Sequence, residues 1–464
     1  MRTTFGDFRL EIALLLLAIA IILPGPGDVA HAVPAFAVQT GQPCAACHIG
    51  AFGPQLTPFG RAFKIGGYTQ GGGQGPEIPI AFTTIASFTH TDSAQPAPPA
   101  DHFRDNNNFS LDQVSAYFAG RITPWSGAFI QGTYDGVAHT FNLDNTDIRP
   151  LTTVLQLGDK NLRVGISVNN GPTVEDPYNS TYAWSYPFVA SALAPTPAAQ
   201  PAVATALAGN SVGVTAYAWY DQSLYVEAGG YETQGPTLLH LTGTTLNGAP
   251  FGSTTGIAPY FRAAYEWNWK QQSAHLGGLI FHSDFNPATA AFTASSAMGR
   301  NGYTDVAVDA GYQFLGNQTH IFTAEGIYTH ESQNLEGTFI AGQSSQTGNE
   351  LQQIRLALTY YYKQTYGVTL GWQYTWGNAN PLLNAPAPVN GSATGQPDSN
   401  AFMVEADWVP FGKSNSIAAP WVNLKLGIQA TAYTSFNGGT SNYDGFGRSA
   451  RANDTIFLFS WLAF

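Results

Sequence analysis

Residues 421–433 read WVNLKLGIQATAY, and the rhythm of this stretch decides the fold. Apolar and polar side chains alternate from one position to the next. The apolar ones are Val422, Leu424, Leu426 and Ile428, and the polar ones between them are Asn423, Lys425 and Gln429. Successive side chains of a β-strand point to opposite faces, so a period of two indicates a strand with one apolar and one polar face.

The same alternation recurs along the whole chain in segments of about ten residues. Sixteen segments show it, and the fourth is the weakest because Pro150 interrupts it. They span residues 78–91, 111–123, 127–134, 146–157, 161–168, 211–220, 223–233, 258–269, 273–283, 303–314, 318–330, 350–362, 366–376, 400–409, 421–433 and 454–464.

The connections between these segments alternate in length. Those after even-numbered segments are short, such as GDK at 158–160 and DQ at 221–222, and only 409–420 is longer. Those after odd-numbered segments are all longer, and the largest is 169–210. Tight turns on one side and long loops on the other are typical of outer-membrane barrels. We therefore predict an all-β fold, a 16-stranded transmembrane antiparallel β-barrel. A soluble all-β fold would share the alternation but not the loop asymmetry.

Composition agrees with a barrel in lipid. Charged residues make up 10% of the chain, whereas soluble domains have about 25%. A net charge of -12 argues against a nucleic-acid partner. Apolar faces would turn to outer-membrane lipid, and charged side chains would turn to a lumen wide enough for water or a plug. The charges predicted to face the lumen, as in an ordinary wet porin wall, are Arg121, Arg163, Glu227, Arg262, Glu266, Arg355, Glu405, Asp407 and Lys425.

The first residues read as an export signal. Arg2 and Arg9 precede the short apolar run IALLLLAIAIIL, and the small residues of AHA at 30–32 or AFA at 35–37 offer cleavage after Ala32 or Ala37. An uncleaved membrane anchor is the alternative. We predict a signal peptide at 1–32, a c-type haem-binding segment at 33–77 and an outer-membrane barrel at 78–464, which places the mature chain in the Gram-negative outer membrane.

The haem prediction comes from PCAACH at 43–48, which holds the only two cysteines of the chain. C-x-x-C-H is the attachment pattern of c-type haem. Two thiols on one turn can bond one porphyrin edge, and the next residue brings its imidazole to the iron. Zinc would need four ligands, while a disulfide or redox pair stays open as an alternative. Cys44 and Cys47 are the predicted haem attachment residues, and His48 is the predicted iron ligand.

The residues after this motif are too few to fold alone, because domains below about 40 residues need external support. We therefore expect the haem segment to plug the barrel lumen. Arg61 and Lys64 are candidates for pairing with haem propionates, or else are solvated. Met403 and His275 are candidates for the sixth iron ligand, and Met298, in a predicted outer loop, is a poorer one. Acids expected near the outer mouth, where they would gather cations, are Asp101, Asp105, Glu175 and Asp176.

Two stretches carry a resemblance to a known family. DTIFLFSWLAF, which ends in Phe464, looks like the terminal strand of outer-membrane barrels. PCAACH followed by PQLTPFGRAFKIGGY resembles the fused monohaem cytochrome–porins of bacterial outer membranes, best known from the outer-membrane iron oxidases. The similarity covers residues 34–68 at the motif level. It implies one covalent haem c held inside the barrel, which would pass electrons from an extracellular reductant to a periplasmic c-type cytochrome or another carrier.

The resemblance leaves the donor open. Fe(II) is the donor of the best-known relatives, so an Fe(II) oxidase-like electron-transfer enzyme is one expectation, yet no residue in this sequence marks an iron site. Two other readings remain. One is a diffusion porin whose haem peptide is only a plug or a sensor, and the other is a soluble periplasmic haem protein.

Overall fold

A computed structural model describes residues 35–72, 79–234, 252–286, 299–414, 416–418 and 421–464. Within them, one antiparallel sheet contains sixteen long strands and the two-residue strand β8. The strands are β1 Ile80–Thr91, β2 Asn108–Thr123, β3 Ser126–Asp135, β4 Thr140–Leu157, β5 Lys160–Asn169, β6 Ser211–Tyr220, β7 Leu224–Thr233, β8 Ser253–Thr254, β9 Ala258–Trp269, β10 Gln272–Asn286, β11 Asn301–Phe314, β12 His320–Leu335, β13 Gly348–Tyr362, β14 Tyr366–Gly377, β15 Ser399–Trp408, β16 Asn423–Ser435 and β17 Thr455–Ala463. The predicted signal peptide and Met298 lie outside the described residues.

The sheet closes on itself. β1 pairs with β2 on one side and with β17 on the other, and β7 pairs directly with β9. Phe82 and Phe464 exchange backbone hydrogen bonds of 2.7 and 2.9 Å at this closure. Each of the sixteen long strands that the structure describes is paired on both edges, which a sheet exposed to hydrocarbon requires. The prediction of a sixteen-stranded antiparallel barrel is confirmed.

The two faces of the wall separate by polarity, as β15 illustrates. Its outward side chains include Phe402, Val404 and Trp408, which are 48%, 48% and 43% exposed. Its inward side chains include the buried Glu405 and Asp407. An apolar outer band around a polar interior is the pattern of a transmembrane β-barrel.

The predicted weak strand is continuous. β4 runs through Pro150, and its register against β5 shifts between Ile148 and Leu151. Because the strand bulges at this point, the hydrogen bonding between β4 and β5 does not require the backbone N–H that proline lacks. The strand also begins six positions earlier than the sequence pattern predicted, at Thr140.

Among the described residues, five short helices lie between or before the strands, and none of them is long and apolar enough to cross a membrane. They are α1 Ala35–Thr40, α2 Cys44–Cys47, α3 Pro58–Ile65, α4 Ala202–Thr205 and α5 Glu336–Ile340. Single 3-10 turns occur at Ile49–Ala51 and Ala450–Asn453. The first three helices belong to residues 35–72, which we call the plug segment.

The plug segment lies inside the barrel at the end where the short turns are. Asn423, the first residue of β16, donates its amide to the carbonyl of Ala51 at 2.7 Å. The ring of Phe52 meets Trp461, near the end of β17, at 5.0 Å. Gln55 donates to Thr323, close to the start of β12, at 3.0 Å. Each partner lies beside a short turn or beside the last residues of the chain.

The largest loop also enters the lumen. Residues 170–210, which we call the inward loop, place Glu175 and Asp176 at 0% exposure. Asp176 pairs with Arg262 of β9 at 3.1 Å, and the carbonyl of Glu175 accepts from Arg149 of β4 at 2.8 Å. The expectation that these two acids lie near the outer mouth is therefore wrong, because wall arginines hold them inside. Asp101 and Asp105, between β1 and β2, are exposed as expected.

This topology predicts which positions a membrane-impermeant maleimide can reach. In a background with both native cysteines replaced by alanine, Asp101→Cys on intact cells should react. Asp159→Cys, in the short turn after β4, should react only after the outer membrane is permeabilised. Ser180→Cys, in the inward loop, should react slowly with the maleimide both before and after permeabilisation, because Ser180 is 2% exposed. Equal labelling of the first two variants on intact cells would contradict the orientation.

Candidate functional site

The haem-motif residues lie on one helical turn. The backbone N–H of His48 donates to the carbonyl of Cys44 at 2.8 Å, so the two cysteines are joined by a closed turn. Residues three apart share a helix face. The chain leaves the helix at His48, whose backbone is extended with φ -117 and ψ 137. Both thiols are free. We call residues 44–48 the haem turn.

Neighbouring segments fix the haem turn. Ala45 donates its N–H to the carbonyl of Gly412, in the connection before β16, at 3.0 Å. Thr57 donates its N–H to Cys47 at 2.9 Å and its hydroxyl to Ala46 at 2.5 Å. The same Thr57 caps α3, which therefore starts directly beside the haem turn. A Cβ at Gly60 would collide with the Cys47 carbonyl, so α3 can approach this closely only with glycine there.

The haem turn faces a cavity of about 730 Å³, which we call the lumen cavity. Its walls come from the plug segment, the inward loop and the inner faces of β1 to β4 and β13 to β17. Cys44, Cys47 and His48 all line it. This volume lies in the range of about 300–1,000 Å³ in which proteins hold cofactors. The structure thus brings the three predicted residues together on one cavity.

Burial sets the protonation states at the haem turn. It raises the pKa of Cys44, and it raises the pKa of Cys47 to about 12. It lowers the pKa of His48 to about 4, against a smaller opposing effect of the Gly53 backbone. Redox-active thiol pairs have lowered thiol pKa values, so these neutral thiols do not resemble one. A neutral imidazole is the form that binds a metal.

The residues fit a c-type haem. His48 Nδ1 is buried without a hydrogen bond of ordinary geometry among the described residues. Two free thiols, a neutral imidazole and an adjoining cavity are what covalent attachment and axial ligation require. Cys44 and Cys47 would hold the porphyrin edge, and His48 would bind the iron.

Arg61 has a different role from the one expected. Its guanidinium is 1% exposed and pairs with Glu266 at 2.7 Å. It also donates to Ser273 at 2.6 Å and to Gln313 at 3.1 Å. These partners stand beside short turns, at the ends of β9, β10 and β11. Arg61 is neither solvated nor free for a propionate, and instead it anchors the plug segment to the wall.

Lys64 ties the plug segment to the inward loop. Its ammonium donates to the carbonyls of Val174 at 2.8 Å and Asp176 at 2.7 Å, and to the side chain of Asn179 at 2.9 Å. An ammonium has three N–H donors, so all of them are used. Lys64 borders the lumen cavity but offers no N–H to a propionate there.

The two candidates for the sixth ligand lie in different places, and of the two only Met403 lines the lumen cavity. His275 stacks on Tyr178 at 4.5 Å and lies 3.4 Å from Asp309 and 3.2 Å from Ser180, away from the residues that line the cavity. His275 does not line the lumen cavity, and its assignment as a sixth ligand stays a prediction that this structure does not support. Met403 lines the lumen cavity and packs against Tyr186. Met403 stays a prediction.

Arg355 also lines the lumen cavity, beside the inward-loop residues Ser185 and Gln200. The sequence pattern placed it among the lumen charges but gave no reason to single it out, because its partners are distant in sequence. Among the described residues, no three His, Cys, Asp or Glu side chains are grouped to hold a metal ion.

Comparison with known proteins bears on the fold alone. No protein-family model matches the sequence, and no curated protein matches it at a significant level. Several solved structures are similar. An anion-selective porin of Comamonas acidovorans is 10% identical with a TM-score of 0.43, over 83% of this chain and 98% of that one. The outer membrane channel DcaP of Acinetobacter baumannii is 10% identical with a TM-score of 0.44, over 83% and 96%. OprB of Pseudomonas putida is 14% identical with a TM-score of 0.44, over 83% and 94%.

These TM-scores are low, so the barrel assignment rests on the strand pairing of this chain. A closed sheet of sixteen long antiparallel strands with an apolar outer band is a porin-like β-barrel.

The ion pair of Arg61 predicts how the plug segment can be released. Glu266→Ala leaves a buried guanidinium without its carboxylate, which costs about 3–5 kcal/mol. Trypsin should then cleave the purified protein after Arg61 much faster than it cleaves wild type, as measured by peptide mass spectrometry.

The control is Asp221→Ala, which removes the partner of Lys160 from a pair whose side chains are each 42% exposed. Exposed ion pairs contribute little to stability because water screens them, so this variant should resemble wild type. Unchanged protection of Arg61 in Glu266→Ala would show that the ion pair does not hold the plug segment.

Proposed function

We propose that this chain is an outer-membrane c-type cytochrome. One haem, bonded to Cys44 and Cys47 and ligated by His48, would lie in the lumen cavity and pass electrons between an extracellular donor and a periplasmic carrier. The observation that carries the proposal is the convergence of both thiols and the imidazole on a cavity inside a transmembrane barrel.

The proposed location in the outer membrane follows from the apolar outer surface of the barrel. Outward side chains such as Phe261, Val308 and Leu358 are 47%, 50% and 57% exposed, and such a surface is stable only against hydrocarbon. The predicted export signal directs the chain out of the cytoplasm, and Gram-negative outer membranes hold barrels of this kind.

When bound, the haem supplies a one-electron redox centre. The chain itself provides attachment, an iron ligand and insulation from the lipid. Cys44 and Cys47 fix the group covalently, and His48 presents a neutral nitrogen. The closed wall separates the site from the hydrocarbon, which is about 30 Å of insulator. Without a site inside the barrel, no centre on this chain would bridge that distance.

The exit for electrons is proposed at the short-turn end. Ala45 and Ala46, between the two cysteines, border a recess together with Lys363 and Lys413, which lie in connections at this end of the barrel. A periplasmic c-type cytochrome, or another carrier, could approach the haem turn from this side. The donor at the other end is proposed to be a small extracellular reductant, with Fe(II) as one member of that class. Met403 is the proposed sixth ligand, and a methionine ligand would raise the reduction potential.

A diffusion porin is the second candidate. The observation that favours it is the number of neutral polar side chains around the lumen cavity, among them Gln113, Gln131 and Gln429. Against it stands the filling of the short-turn end by the plug segment, which leaves the haem turn in the path of any solute.

Electron transfer through reconstituted barrels separates the two candidates. The protein is placed in liposomes that contain a trapped oxidant, and a membrane-impermeant reductant is added outside. We expect wild type to reduce the trapped oxidant. Cys44→Ala/Cys47→Ala and His48→Ala should lose this activity while the barrel keeps its heat-modifiable gel shift.

Two results would contradict the proposal. One is reduction of the trapped oxidant at the same rate by the variant that lacks both cysteines, which would mean that the reductant leaks through the pore. The other is assembled wild-type protein that has been matured in a host competent for cytochrome c and still carries no haem. A liposome-swelling assay with a neutral sugar measures the solute permeability of the same preparations and identifies a diffusion pore directly.

A further inference from the structure

Arg355 is a cation of the lumen wall that has no carboxylate partner in the part of the chain that the structure describes. It stands in the middle of β13, opposite Gln373 of β14. Its Nε donates to Gln353 at 2.8 Å and one terminal nitrogen donates to Gln200 at 2.8 Å. The other terminal nitrogen has only a 3.4 Å contact with Ser185. All three partners are neutral.

Four buried cations of the lumen are neutralised by acids of the chain, and Lys64 instead uses all three of its N–H groups on two carbonyls and an amide oxygen. Among the described residues, these pairs are Arg61 with Glu266, Arg149 with Asp147, Arg262 with Asp176 and Asp309, and Lys425 with Glu405 and Asp407. Arg355 forms no such pair. The ring of Tyr182 covers one face of its guanidinium, and the ring centroid lies 4.8 Å away.

A guanidinium away from bulk water has an unfavourable free energy when no counter-charge is near, because the low dielectric solvates the charge poorly. A guanidinium has five N–H donors, and three contacts leave two of them unused. The amide of Gln373, directly across the strand pair, has no hydrogen bond among the described residues and also lines the lumen cavity. Unused donors from two strands therefore converge on one wall of the cavity.

We propose that Arg355, together with Gln373, is a carboxylate-binding site of the lumen cavity. Two parallel N–H groups of an arginine match the two oxygens of a carboxylate. The carboxylate could be a propionate of the bound haem, and in that form the inference rests on the proposed function. It could equally be a small soluble carboxylate that enters the barrel. The chemistry is the same, and the experiment tells the two sources apart.

The test measures how fast phenylglyoxal modifies individual arginines, read by peptide mass spectrometry. The full chain is compared as haem-loaded wild type and as the haem-free Cys44→Ala/Cys47→Ala variant, the latter with succinate or with neutral succinamide. Arg163 is the internal reference, because it also has no ion pair among the described residues yet does not line the lumen cavity.

We expect Arg355 to react in the haem-free variant and to be protected on the order of tenfold by its carboxylate partner. Protection in the haem-loaded protein alone identifies a propionate, and protection by succinate but not succinamide identifies a soluble carboxylate. Either result supports the site when Arg163 is unaffected. Equal reactivity of Arg355 in every sample, or no reaction in any, would overturn it. If wild type carries no haem, the proposed function fails while the succinate comparison still decides this site.

A second readout addresses the haem-loaded protein. Arg355→Gln should lower the midpoint potential, because loss of the cation leaves a propionate charge that favours the oxidised haem. Arg163→Gln should shift the potential less. Equal shifts in the two variants would mean that Arg355 acts only through the general field of the lumen and does not pair with a propionate.

Discussion

Closure of the sheet between β1 and β17 is the constraint on which the rest of the structure depends. Hydrocarbon offers no partner for a backbone N–H or C=O, so every strand must be paired on both edges. Sixteen long strands meet this requirement, and the alternation of side chains then sends apolar groups outward and polar groups inward. The closed wall therefore creates an interior whose charges must neutralise one another.

Buried ion pairs hold the plug segment and the inward loop in place. Arg61 of the plug segment pairs with Glu266 of the wall, and Asp176 of the inward loop pairs with Arg262 of the wall. Lys64 joins the plug segment to the inward loop through three acceptors. The haem turn is held at the short-turn end as a result, with the lumen cavity beside it. Arg355 differs from these cations, because it has no ion pair among the described residues and its partners leave N–H donors unused.

The sequence predicted the wall well because strand periodicity is a local property. Two predicted strands, 211–220 and 258–269, coincide with β6 and β9. Pairings inside the lumen were not predictable, since Arg61 and Glu266 are 205 residues apart in the chain. For the same reason Glu175 and Asp176 were assigned to the mouth, although Arg149 and Arg262 hold them inside the barrel. Cys44, Cys47 and His48 were predictable because a single helical turn contains the whole motif.

The central claim is that one haem is covalently attached inside this barrel, and its most direct test is the mass of the peptide that contains Cys44 and Cys47. The protein is purified from the outer membrane of a host competent for cytochrome c maturation, digested, and analysed by mass spectrometry. The account predicts a peptide heavier by one haem, with both cysteines resistant to alkylation after reduction. A peptide of unmodified mass, with two cysteines that alkylate freely once reduced, would contradict it.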